Sequence, residues 1–154
     1  MSISRITTTD TVDNWVEIAT NTTTATTRTF SSIPTTYRKL MLRWHTIVPN
    51  TNTVDLYIYF NASKTANAYY SAGSNTYIEV DTSTVDTNSY LGYLVIDSAK
   101  TNSIKEFNGF HSYTVTGTQR ELHGIYAATA AITEISFEMT SGTTSGTLVL
   151  YGTL

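Results

Sequence analysis

Three histidines, a short acidic run and a surplus of serine are the groups in this 154-residue chain that could do chemistry. His45, His111 and His123 lie far apart, and none belongs to an H-x-H or H-x-x-x-H pair. They read as single, partly exposed strand histidines rather than as a metal centre. Glu79, Asp81 and Asp86, in YIEVDTSTVD, lack the glycine turn and the closing bidentate glutamate of a calcium loop. There are 15 serines, but no G-x-S-x-G elbow and no Gly-rich oxyanion segment accompanies them. A phosphate loop and a dinucleotide fingerprint are also missing. The absence of cysteine removes disulfide scaffolds, thiolate zinc sites and Cys nucleophiles. Paired glycosidase carboxylates have to face each other across a cleft, and no spacing along a chain arranges that. Asn21-Thr22-Thr23 and Asn61-Ala62-Ser63 fit the glycosylation pattern, yet the N-terminus MSISRITTTDTVD lacks a charged start and an apolar stretch for secretion. The expectation is a protein that is not an enzyme and carries no metal or cofactor.

Composition narrows the class further. Nine bases against twelve acids give a net charge of −3, which argues against a nucleic-acid coat. No apolar run approaches the roughly 18 residues of a membrane span. The chain holds 32 Thr and 11 Tyr, and only 14% of its residues are charged. Branched and aromatic side chains fit a pleated surface and lose χ1 freedom in a helix, so this is a strand-forming composition.

The elements that would position any site follow from period-two alternation. Residues 1–14, with only Ile3, Ile6 and Val12 to bury, read as an N-terminal arm, and 15–154 as one β-sandwich domain. The Thr-rich run Asn21–Thr29 lies between Trp15, Val16 and Ile18 on one side and Phe30 and Ile33 on the other, so it reads as hairpin or strand. In Tyr37–Val48, Leu40, Leu42 and Trp44 share one face while Lys39, Met41, Arg43 and His45 share the other. Val54–Phe60 alternates likewise, with Asp55, Tyr57 and Tyr59 opposite the apolar stripe, and PNTNT between the two runs predicts a hairpin. Tyr77–Val80, Tyr90–Ile96, Ile104–Val115, Ile132–Met139 and Leu148–Tyr151 are further strands, with Gly73, Gly117, Gly142 and Gly146 in turns. Ile125–Ile132 is expected as a loop or a single helical turn. About eight short strands with polar turns predict an all-β, antiparallel sandwich of jelly-roll type.

Several phrases recur in an order that resembles small β-sandwich virion proteins of tailed bacteriophages, including phages of aquatic bacteria. They are Phe30-Ser31-Ser32-Ile33-Pro34-Thr35-Thr36-Tyr37, Phe60-Asn61 with Asn67-Ala68-Tyr69-Tyr70, and Ile96-Asp97 with Ala99-Lys100-Thr101-Asn102 and Ile104-Lys105. Thr129-Ala130-Ala131-Ile132-Thr133-Glu134-Ile135 and Leu150-Tyr151-Gly152 complete the set, which spans about residues 15 to 154. The chain departs from the pattern at Ala62, where the family has glycine, and at Lys64, where it usually has an acid.

The resemblance implies a virion structural protein made in the host cytoplasm, forming a homotrimer with itself. Its size favours a capsid decoration or cement protein that bridges neighbouring copies of the major capsid protein. The alternative is a tail-associated fibre or receptor-binding module, in which exposed Tyr, Trp15 or Trp44 stacks on host glycan. A shallow pocket lined by two aromatics would favour glycan, and a flat apolar footprint near the arm would favour cement. Neither role involves nucleic acid or membrane. Interface candidates are Tyr57 and Tyr59, the basic group Arg38, Lys39 and Arg43, and the acidic pair Glu79 and Asp81. Tyr69, Tyr70, Tyr77, Tyr90 and Tyr93 either cap the core with wet hydroxyls or meet a partner. The segregated charges fit two solvated faces of one monomer, or complementary patches fixing the register of a ring.

Overall fold

Alternating Thr, Tyr and aliphatic residues fold into strands throughout the computed structural model, which describes residues 14–65, 68–71, 76–100, 102–114 and 119–154. Residues 1–13 of the expected arm, Gly73, Gly117 and the Val115 end of one expected strand lie outside the described residues.

The strands are β1 (Val16–Asn21), β2 (Thr27–Phe30), β3 (Lys39–Pro49), β4 (Leu56–Phe60), β5 (Tyr69–Ser71) and β6 (Ile78–Asp81). They continue as β7 (Tyr90–Ile96), β8 (Lys105–Tyr113), β9 (Gln119–Tyr126), β10 (Ile135–Met139) and β11 (Thr144–Thr153). A seven-stranded sheet has the order β1-β11-β3-β7-β8-β9-β5, and a four-stranded sheet the order β2-β10-β4-β6. All pairings are antiparallel. The inner faces share one core, in which Trp44 of β3 meets Phe137 of β10 at 5.9 Å and Phe60 of β4 meets Tyr126 of β9 at 5.3 Å.

The expected β3–β4 hairpin does not form. The two strands lie in different sheets, and the segment between them crosses the end of the sandwich. That segment is tied to the β10–β11 turn instead, where the Thr143 N–H donates to Asn50 Oδ1 at 2.7 Å and the Asn50 N–H donates to Thr143 O at 3.0 Å. Alternation shows that a strand has one buried face, and a crossover between sheets satisfies that as well as a hairpin does. The Asn21–Thr29 run likewise links β1 to β2 across the sheets. Among the described residues the only consecutive meander is β7-β8-β9. Within Ile125–Ile132, the chain leaves β9 at Tyr126 and continues as a loop, so no helical turn forms.

Bulges set which side chains face inward. Register shifts occur at Trp44/Ile47 and at Ser145/Thr147, where Thr46 has φ 49° and Gly146 has φ 99°. The extra residue lets β3 bury Leu40, Leu42 and Trp44 and then Ile47. A further shift in the β4–β6 pair puts Glu79 opposite Tyr57 and Asp81 opposite Leu56, and one Arg120 guanidinium reaches both carboxylates.

Asn61 and Ala62 both follow β4 with φ 52°. Asn61 Oδ1 accepts from the backbone N–H of Thr133 at 2.8 Å and of Glu134 at 3.1 Å, and its Nδ2 donates to Ala131 O at 2.9 Å. These bonds hold the loop before β10. Ala62 makes no such use of its conformation, and a left-handed L-residue costs roughly 1–2 kcal/mol. Ala62→Gly is therefore expected to stabilise the fold by about 0.5–1 kcal/mol, since glycine's freer unfolded chain offsets part of the relief. Urea denaturation at unchanged m checks it; a lower midpoint would contradict the strain.

Candidate functional site

The outer face of the seven-stranded sheet brings ionic and aromatic side chains together in the open. Strand register aligns Arg43 of β3 with Tyr93 of β7, Tyr93 with Phe110 of β8, and Phe110 with Glu121 of β9. The result is one cross-strand row reading cation, aromatic, aromatic, anion. At the usual strand spacing the row runs about 14 Å. Tyr93 is 42% exposed and Leu91, two residues before it, is 43% exposed.

Two shallow hollows flank this row. One, of about 320 Å³, is lined by Arg43, Trp44, His45, Leu91, Gly92, Tyr93 and Phe110. The other, of about 280 Å³, is lined by Tyr93, Asn108, Gly109, Phe110, Glu121 and His123, with Leu122. Burial and the nearby Arg43 charge push the His45 pKa below its usual value, so His45 is a neutral donor and acceptor at pH 7. Behind this hollow, on the inner face of the sheet, Gly92 makes room for the Trp44 ring: a Cβ there would lie 2.2 Å from the Phe110 carbonyl oxygen and 2.5 Å from the ring.

The sequence marked Arg43 and Tyr93 separately and missed Phe110, Glu121 and His123 as partners. β9 has no clean apolar alternation, because Arg120 shares the inward parity of Leu122 and Tyr126. Without β9 the row has no anionic end.

The other expected contact residues sit elsewhere. Tyr57 and Tyr59, on the four-stranded sheet, are only 9% and 5% exposed, so little of either ring is open to solvent. Tyr77 stacks on Tyr57 at 3.7 Å, and Lys64 Nζ lies 4.5 Å above the Tyr59 ring while donating to Glu138 at 2.7 Å. Tyr69 and Tyr90 are also buried, whereas Tyr70 and Tyr93 are exposed. Trp44 is fully buried and offers no ring to a sugar.

The charged candidates are largely paired within the chain. Lys39 meets Asp97 at 3.2 Å, and Arg120 bridges Glu79 at 3.3 Å and Asp81 at 3.6 Å. Arg38 precedes β3, where its N–H donates to Thr153 O and its carbonyl accepts from Ala99. Arg38, Lys39 and Arg43 are thus on the seven-stranded side, and Tyr57, Tyr59, Glu79 and Asp81 belong to the four-stranded sheet.

His111 corrects the expectation of partly exposed histidines. It is buried, stacked on Tyr90 at 5.4 Å, with Nε2 3.5 Å from Asp81 Oδ2. His45 and His123 lie on the outer face, so the three do not converge. Among the described residues no group of three or more His, Cys, Asp or Glu could hold a metal ion. Two buried cations have structural surroundings. Lys105 Nζ donates to Ser103 O at 2.6 Å and Thr129 O at 2.8 Å, and Arg28 Nη2 donates to the carbonyls of Asn21 and Gly146. Burial lowers the pKa of both.

No protein-family model, curated protein or solved structure matches the chain.

Proposed function

We propose that this chain is a non-enzymatic jelly-roll protein of a tailed-bacteriophage virion whose seven-stranded outer face recognises saccharide on the host surface. Strand order supports the jelly roll. With β5, β8 and β9 set aside as additions to one sheet, the other eight strands, renumbered in chain order, lie as 1-8-3-6 and 2-7-4-5. Two interleaved Greek keys produce that order. The virion assignment rests on the ordered landmark phrases from Phe30 to Gly152.

Between head decoration and host recognition, the Arg43–Tyr93–Phe110–Glu121 row favours recognition. An exposed Tyr93 beside a half-buried Phe110 suits the apolar faces of sugar rings, and flanking ionic and amide groups suit their hydroxyls. Sugar contacts of this size are weak singly, and a homotrimer presented in many copies on a virion would multiply them.

Decoration of the capsid exterior is the second reading. Its supporting observation is an apolar spot beside the start of β1, where Val16 is 50% exposed and pairs with Gly152, two residues from Leu154. Two side chains fall well short of the roughly 800 Å² per partner of a standard interface.

Co-sedimentation with tailless capsids lacking the protein, run beside binding to polysaccharide purified from the host envelope, tests the choice. Saturable polysaccharide binding that Tyr93→Ala weakens at least tenfold, about 1.4 kcal/mol, supports recognition. Because Tyr93 is exposed, that variant should keep its stability within about 0.5 kcal/mol. Stoichiometric capsid binding with no polysaccharide binding would reverse the order of the two readings.

A further inference from the structure

The two ends of the aromatic row differ in charge, and that difference specifies more than sugar in general. We infer that the row is a two-subsite saccharide site, with an acidic sugar over Tyr93 beside Arg43 and a neutral sugar over Phe110 beside Glu121. The inference rests on the saccharide reading above and deepens it.

The Arg43 end offers a carboxylate partner. Arg43 is exposed and outward-facing, and its guanidinium presents paired donors in the geometry a carboxylate accepts. His45 beside it is neutral at pH 7, so it hydrogen-bonds hydroxyls without adding charge. Among the described lining residues of this hollow there is no acid, so nothing repels a uronate there.

The Glu121 end has the opposite character. Its hollow contains Glu121, Asn108 and His123 and no Lys or Arg. A carboxylate with an amide accepts from and donates to adjacent ring hydroxyls, while it repels a second anion. Tyr93 and Phe110 are direct cross-strand neighbours and line both hollows, so they form a shared floor on which two linked rings can lie. The polarity of the row therefore fixes the direction of the chain that crosses it: acidic unit towards β3, neutral unit towards β9.

Matched disaccharides test the assignment. The probes are glucuronic-, galacturonic- and mannuronic-acid disaccharides with a neutral second sugar, each paired with its carboxyl-reduced counterpart, titrated into the full chain by calorimetry. At least one acidic member is expected to bind tenfold or more tightly than its reduced counterpart. Arg43→Ala should erase that preference, while Glu121→Gln should weaken acidic and reduced members alike. If acidic and reduced members bind equally, the acidic subsite is wrong but the saccharide reading stands. If no member binds and the host polysaccharide does not bind either, both fall. If the host polysaccharide binds and Arg43→Ala leaves its affinity unchanged, the subsite assignment alone is overturned.

Discussion

Replacing Trp44 with alanine should lower the unfolding free energy by about 3–5 kcal/mol, the range for deleting a fully buried aromatic ring. Trp44 is fully buried and joins the two sheets, with its ring 5.9 Å from Phe137 on the opposite layer and 6.2 Å from His111 on its own. Its Nε1 makes no hydrogen bond, so the loss is one of packing and not of a polar partner. Trp44→Phe should accordingly cost much less than Trp44→Ala. The tight contact with Gly92 provides an internal control. Gly92→Ala in the native background should cost about 1–3 kcal/mol, because a Cβ there would lie 2.2 Å from the Phe110 carbonyl oxygen and 2.5 Å from the ring. In the Trp44→Ala background only the ring's share of that penalty should disappear, since the Phe110 carbonyl stays in place, and a double-mutant cycle in urea measures that share. A Trp44→Ala loss below about 1 kcal/mol would mean that the inter-layer core is not built around this ring.

Raising the pH above 10 should unfold the protein steeply. Burial raises the pKa of Tyr57, Tyr59, Tyr69, Tyr90 and Tyr126, with Tyr59 pushed up to about 12. For Tyr57 the hydrogen bonds with Tyr77 and Asp55 add to burial. An unfolded tyrosine ionises near pH 10, so between pH 10 and 12 the unfolded chain releases protons that the folded chain keeps. Stability contributed by these phenols is thus complete below pH 10 and lost as pH climbs. Ionising the Tyr59 site alone is worth on the order of 2 kcal/mol. Lys105 acts in the opposite direction, because its lowered pKa favours the folded state as pH rises towards 10.5. One lysine does not offset five tyrosines. Tyrosinate absorbance and far-ultraviolet dichroism should show the late-ionising tyrosines titrating together with loss of the strands. Ionisation of all 11 tyrosines near pH 10 with the strands intact would contradict the buried set.

Much of the architecture is legible because alternation is a local property. The Tyr90–Ile96 strand matches residue for residue, and Leu40, Leu42 and Trp44 are buried together as their parity requires. What alternation does not encode is which strand lies beside which, so β3 and β4 read as a hairpin although they belong to opposite sheets. The same limit applies to exposure on the outer faces. Tyr57, Tyr59 and Tyr93 all lie opposite apolar stripes in sequence. Only the tertiary structure distinguishes them, since Tyr77 and Lys64 cover the first two and nothing comparable among the described residues covers Tyr93. The candidate site draws on four strands whose register is set by bulges and by a meander with an irregular third strand. Arg43 and Tyr93 are 50 residues apart in number and adjacent in space.

The most direct test of the recognition surface is an amide chemical-shift map recorded while oligosaccharides from the host envelope are titrated into the labelled protein. The account predicts shifts concentrated at Arg43, Tyr93, Phe110 and Glu121 and at their neighbours His45, Asn108 and His123, with little change on the four-stranded sheet. Shifts confined to the start of β1 and to Leu154, or no shifts at saturating oligosaccharide, would contradict it and leave capsid attachment as the role to pursue.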